Sequence, residues 1–281
     1  MVKFILFLLF SFQAAANDWT PLSRLTIEEQ VLQVLTGKTE YKGIKILERK
    51  SLKSKQLVRE FLAEKLVSYG YSVQLHNYSQ IGTNVFSLLP STTGSKQFVV
   101  VGAHFDSVGN AGANDNASGV SIVMSMAEKL IQQSDRDKNV LFCFFDEEET
   151  GLLGSKAFAK KLVTEKIDVH SAHTVDQLAF DGDGDFAIEL EAATPELLQF
   201  YRSVNFDQKF NLILETSPIT STDHDSFRKL GIPSIGVTEE YYHGDTTSCY
   251  HQNCDTYDTI NFDYLFSGSR FWTAVISTLI R

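Results

Sequence analysis

The chain has 281 residues, 43% hydrophobic and 21% charged, which is enough for one large core and too apolar for wholesale disorder. Its 25 Lys and Arg against 35 Asp and Glu leave a net charge of −10, which excludes nucleic acid and anionic membrane surfaces as natural partners, since both demand a cationic face. Three cysteines are too few for a disulfide-framework scaffold.

In chain order, Lys3 precedes an apolar run at residues 4–10, and small residues end at Ala14-Ala15-Ala16. This pattern predicts a signal peptide over residues 1–16, cleaved after Ala16. The run is shorter than the roughly 20 residues that a spanning helix needs, so export to a periplasmic or secreted location is expected, without membrane attachment. Residues 17–281 then read as one domain. Residues 17–83 form a helical lead-in, with apolar residues at helical spacing over 27–35 and 57–66 and a stop at Gly70. Unbroken apolar runs at 85–89, 98–101 and 140–145 fit strands covered on both faces, as in a mostly parallel sheet. A crossover helix is expected over 120–131, and further helices over 158–163, 194–204 and 262–280. The fold class is α/β.

Three polar clusters follow these strands: Gly102-Ala103-His104-Phe105-Asp106-Ser107, Asn114-Asp115-Asn116-Ala117-Ser118-Gly119, and Asp146-Glu147-Glu148-Glu149-Thr150-Gly151. Binding crevices of α/β sheets open at the carboxyl ends of strands, where these clusters fall. Imidazoles and carboxylates form a donor set that Zn²⁺ accepts, and one carboxylate can bridge two such ions. Any one cluster alone fits a solvated turn. An acidic run directly after six core-type residues, however, gathers like charges that need a cation. In an oxidising compartment Cys249 and Cys254 can close a small ring around His251, while Cys143, inside the run 140–145, reads as a buried hydrophobe.

In order and separation, these strings, with Val175-Asp176-Gln177-Leu178 and Tyr250-His251, resemble the di-zinc aminopeptidases of the clan MH metallopeptidases, of the bacterial secreted leucyl-aminopeptidase type. The resemblance covers residues 84–281. It implies a three-layer α/β/α sandwich around a mixed, mostly parallel sheet. It also implies two Zn²⁺ ions, one held by His104 and Asp176, the other by Glu149 and His251, with Asp115 bridging. Asp106 would orient His104, and Glu148 would be the general base that takes a proton from the attacking water. A cis peptide bond between Asp115 and Asn116 is implied as well. The substrates would be peptides with a free N-terminus, and the enzyme a monomer. Gln177 and Ala179 stand where the family often has an apolar residue and Gly, and Asp181 is a rival to Asp176 as ligand.

Two other functions remain open on this fold: a metal-dependent glutaminyl-peptide cyclase, and a binding module without catalysis. No Gly-x-Ser-x-Gly elbow supports a serine hydrolase. Asp181-Gly182-Asp183-Gly184-Asp185 resembles an EF-hand start, but Phe186 and Ala192 occupy its Gly and Glu positions, so a turn is expected. His170 and His173 read as surface residues rather than a metal pair. Thr222-Asp223-His224-Asp225-Ser226-Phe227 resembles a pocket wall of the family, or Asp223 is a helix N-cap.

Overall fold

A computed structural model describes residues 25–281; the expected signal peptide lies outside them. Helix α1 (Ile27–Leu35) starts at a capping box, in which Thr26 and Glu29 satisfy each other's backbone N–H groups. Ser51 caps α2 (Leu52–Ser68), and the chain leaves it through Gly70 at φ +100°, a conformation that glycine takes without a Cβ penalty.

The apolar runs become strands β2 (Thr83–Leu89), β3 (Gln97–His104) and β4 (Asn139–Phe145). The sheet has five more: β1 (Val73–Asn77), β5 (Asp168–Val175), β6 (Ile188–Glu191), β7 (Leu214–Ser217) and β8 (Ser234–Thr238). Their order is β1-β2-β4-β3-β5-β8-β6-β7. The central block β4-β3-β5-β8 is parallel, as is β6-β7. β2 is antiparallel to both neighbours, and β6 is antiparallel to β8, so the sheet is mixed.

The strands alternate two apolar faces, as the period-2 geometry of a pleated strand requires. Val99, Val101, Val140, Phe142 and Phe144 face a large core shared with α1, α2, α3 (Gly119–Leu130), α5 (Pro195–Asp207) and α7 (Phe262–Leu279). Val100, Leu141, Cys143 and Phe145 face a smaller core with α4 (Leu153–Thr164) and Phe227 of α6 (His224–Arg228). The result is the three-layer sandwich expected.

Register decides where the polar clusters meet. His104 pairs with Phe145 across β3 and β4, and Gly102 pairs with Thr174 across β3 and β5. Three adjacent strands therefore end together and release their loops at one edge. Gly102 permits this closeness, since a Cβ there would stand 2.5 Å from the Phe145 ring.

Candidate metal centre

His104, the last residue of β3, is buried, and its Nε2 lies 3.2 Å from Asp115 Oδ1 and 3.2 Å from Asp176 Oδ1. His251, on the loop before α7, brings its Nε2 to 3.0 Å from Asp115 Oδ2 and 3.1 Å from Glu149 Oε2. Each oxygen of Asp115 thus meets a different imidazole. The donor atoms form two groups, His104–Asp115–Asp176 and Asp115–Glu149–His251, each gathered within 4.8 Å. Asp176, just past β5, stands in the first group, and the rival Asp181 does not.

The backbone around these side chains is held by carboxylates. Asp106 accepts hydrogen bonds from the N–H groups of Glu148 (3.0 Å) and Glu149 (3.2 Å), and its Oδ1 lies 3.4 Å from His104 Nδ1. It therefore ties the imidazole to the acidic loop. Asp255 accepts from the N–H groups of Asn114 (2.7 Å) and Asp115 (3.1 Å), which fixes the loop of the shared carboxylate. The Asp115–Asn116 peptide is cis, as the resemblance implies. Cys249 and Cys254 form the expected disulfide, two residues before and three after His251, and Cys143 is buried and free. Tyr250 stacks on the His251 ring at 3.9 Å between centroids.

The electrostatics are those of crowded anions. Burial works to raise Asp115, but hydrogen bonds from both imidazoles hold it below the ordinary carboxylate range. Burial opposes protonation of His104, yet the charges of Asp176 and Glu148 hold it well above its usual value. Glu148 is pushed up to about 10, first by burial and then by Asp176, Asp223 and Asp115, with His104 opposing. Burial and Asp115 raise Glu149 to about 7. Glu149 Oε1 is buried without a hydrogen-bond partner. Imidazole and carboxylate donors converging on a shared carboxylate, with an unpartnered buried oxygen beside them, fit divalent cations.

Other sequence readings resolve as follows. Asp223 stands at the N-terminus of α6 but makes no capping bond; it is buried, and its charge reaches Glu148. The string Thr222–Phe227 was its only sequence signal. His173 is buried rather than on the surface, hydrogen-bonded to Tyr201 Oη and Ser171 Oγ at 2.9 Å each. It lies on β5, where positions i and i+3 face opposite sides of the sheet, so His170 and His173 cannot share an ion. Residues 182–185 form a bend, and Asp181 and Asp183 gather with Asp245 within 4.8 Å of one another. Asp255 stands in the string that follows His251 in the resemblance, whereas Arg49 had no motif to announce it.

With this geometry in place, the comparison with known families gives one result: peptidase family M28 matches residues 84–274, and the chain belongs to that family. A probable leucine aminopeptidase of Arthroderma otae is 28% identical over 202 residues, covering 66% of this chain and 54% of that protein. The chain spans about half the length of the curated relatives it matches. Among solved structures, BSAP, a zinc aminopeptidase from Bacillus subtilis, superposes with a TM-score of 0.66 at 24% identity, covering 71% of this chain and 50% of that one. Porphyromonas gingivalis glutaminyl cyclase has a TM-score of 0.73 at 16% identity, covering 90% of this chain and 97% of that one. At such identities both likenesses speak to the fold alone. No helix among the described residues is long and apolar enough to cross a membrane.

Proposed function

We propose that this chain is an exported zinc-dependent aminopeptidase whose single catalytic domain, residues 17–281, removes the N-terminal residue of peptides. Family membership supports a peptidase, and the names of the relatives support zinc and the amino end. The observation that carries the reading is the split of Asp115, with one oxygen toward His104 and the other toward His251. Under this reading His104 and Asp176 hold one ion, Glu149 and His251 the other, and Asp115 both. Three ligand charges offset only part of the four positive charges, and the surplus, once the ions are bound, acidifies water and polarises a carbonyl oxygen.

The remaining work falls to the chain's own side chains. Glu148 belongs to neither donor group, and the Asp106 carboxylate fixes its backbone beside Glu149. With cations bound beside it, the anions that push its carboxyl up would be offset, and as a carboxylate it would take a proton from water as the scissile carbonyl is attacked and deliver it to the departing amine. Asp106 positions both His104 and the acidic loop. Asp255 positions Asp115.

The test is amide release from free-amine and N-blocked dipeptide substrates, before and after chelation and on return of Zn²⁺. Hydrolysis confined to free-amine substrates, lost on chelation and restored by zinc, is expected. Glu148→Gln should retain the metal and lower turnover about 10²–10⁴-fold. Ammonia release from an N-terminal glutaminyl peptide, as its α-amine displaces the side-chain amide nitrogen with no peptide bond cut, would make the protein a cyclase, and metal-independent hydrolysis would remove the metal mechanism.

A further inference from the structure

Asp106 and Asp255 hold the backbone of Glu149 and of Asp115. A third acid, Glu239, directly follows β8 and is completely buried. Its Oε2 accepts from the N–H groups of Phe180 (3.0 Å) and Ala179 (3.4 Å), in the loop that leaves Asp176. Its Oε1 accepts from Thr246 Oγ1 at 2.8 Å, on the loop that leads to His251. Asn114 Nδ2, on the residue before Asp115, lies 3.0 Å from both oxygens. The Glu239 N–H in turn donates to Gln177 O at 3.0 Å, next to Asp176. One residue thus touches the loops of Asp176, Asp115 and His251, which supply a ligand of the first donor group, the shared ligand and a ligand of the second. Glu239 itself belongs to neither group.

A buried carboxyl is tolerated where hydrogen bonds replace its water, and here they come from three segments far apart in sequence. Burial pushes this carboxyl up to about 8, against those same bonds. The tie holds in either protonation state. As a carboxylate, both oxygens accept; a proton on Oε1 would donate to Thr246 Oγ1, while Oε2 keeps its N–H partners. From Thr246 the path to the imidazole is short. Thr247 accepts from the Tyr250 N–H through its carbonyl and from the Cys249 N–H through Oγ1, each at 3.1 Å, and Tyr250 stacks on His251. On the other side, Asn116 Oδ1 and Ser118 Oγ also accept from Gln177 and Leu178 N–H groups, at 3.1 Å each. Loss of Glu239 therefore loosens the Asp176 loop without freeing it.

We infer that Glu239 is a positioning residue of the metal centre, which holds Asp176, Asp115 and His251 at the spacing that lets both donor groups close on a cation; this rests on the two-zinc reading above. Groups that orient ligands act on metal affinity itself, whereas a side chain that merely supports the fold lowers stability and leaves affinity alone.

The test is competition for zinc between the loaded protein and a chromophoric chelator, with thermal melting at saturating zinc beside it. The unaltered protein should hold two ions. Glu239→Met, which matches the length and offers no oxygen, should weaken both by about 10–100-fold. Glu239→Gln keeps an acceptor for the N–H groups and a donor for Thr246 Oγ1, so it should recover most of that loss. Thr246→Val cuts the contact to one loop and should weaken chiefly the ion that His251→Ala abolishes, by about tenfold, while Thr246→Ser should bind as the unaltered protein does. If Glu239→Met does not fold, judged by circular dichroism, the two Thr246 variants decide the matter. Unchanged zinc affinity in Glu239→Met and Thr246→Val, whatever happens to their melting temperatures, overturns the inference and leaves the two-zinc reading standing. An unaltered protein that holds fewer than two ions overturns both.

Discussion

Residues 25–83 and residues 84–274 contribute different things to one centre. The second segment contains the whole M28 match and every proposed ligand, together with the base. The first contains none of them, yet it sends three cations into the loops that hold them. Arg49 is completely buried, and its guanidinium donates to the carbonyls of Phe105 (2.7 Å), Gly112 (2.8 Å), Leu35 (3.2 Å) and Ala111. Its own N–H donates to Ser107 Oγ at 3.0 Å. It thus clamps the loop between His104 and Asp115 from both ends. Lys55 Nζ lies 2.9 Å from Asp146, the fully buried first residue of the acidic run, with Arg59 at 3.4 Å from the same carboxylate. Family motifs record the groups that meet the substrate. Groups that hold those motifs in place can come from a stretch outside the family match.

The largest effect expected from this division is at Arg49. Burial works against its charge, while Asp255, Asp115, Asp106 and Glu149 favour it. Arg49→Met strands four carbonyls and removes a guanidinium that faces those acids, at a cost of about 3–5 kcal/mol. Urea unfolding of the zinc-loaded protein measures it. A loss below about 1 kcal/mol would reduce the lead-in to a cover over the core and break the comparison.

Lys55→Met should cost less, about 2 kcal/mol, because Arg59 and the Thr83 N–H (3.1 Å) still face Asp146. Asp146→Asn in the same chain should recover part of that loss, and the double-mutant cycle measures the coupling. Strict additivity would mean that the ion pair contributes nothing to the acidic loop.

What could be read from the residues divides in the same way. The runs at 85–89, 98–101 and 140–145 announced three strands because they are buried on both faces, and the clusters after two of them located most of the centre. Strand β5 gave no such signal, since His170, Ser171, His173 and Thr174 interrupt its apolar pattern although the last five of its residues are buried. β6 and β7 are four residues each, too short for periodicity to register. Asp176 could be placed by spacing, and Asp255 by the string after His251, but Arg49 acts through contacts at sequence separations that no local pattern encodes.

A third measurement concerns the motif-bearing segment at a point that the cations of the lead-in do not reach. His173 is fully buried, stacked on Tyr201 at 5.8 Å, and burial lowers it from 6.5 to about 3. The folded protein therefore keeps this ring neutral while the unfolded chain protonates it near pH 6.5. A histidine depressed in the folded state supports stability fully above pH 6.5, and the contribution is lost as pH falls from there toward 3. Between pH 7 and pH 5 the loss from this one residue should be about 2 kcal/mol. Comparing the unaltered protein with His173→Gln at both pH values isolates it, because the other acid-sensitive groups, the metal centre included, act equally in both proteins. The variant should be less stable at pH 7, since the hydrogen bonds to Tyr201 and Ser171 are disturbed, yet lose less on acidification. Equal losses in the two proteins would mean that the ring accepts a proton in place, and that this part of the sheet admits charge as readily as the centre does.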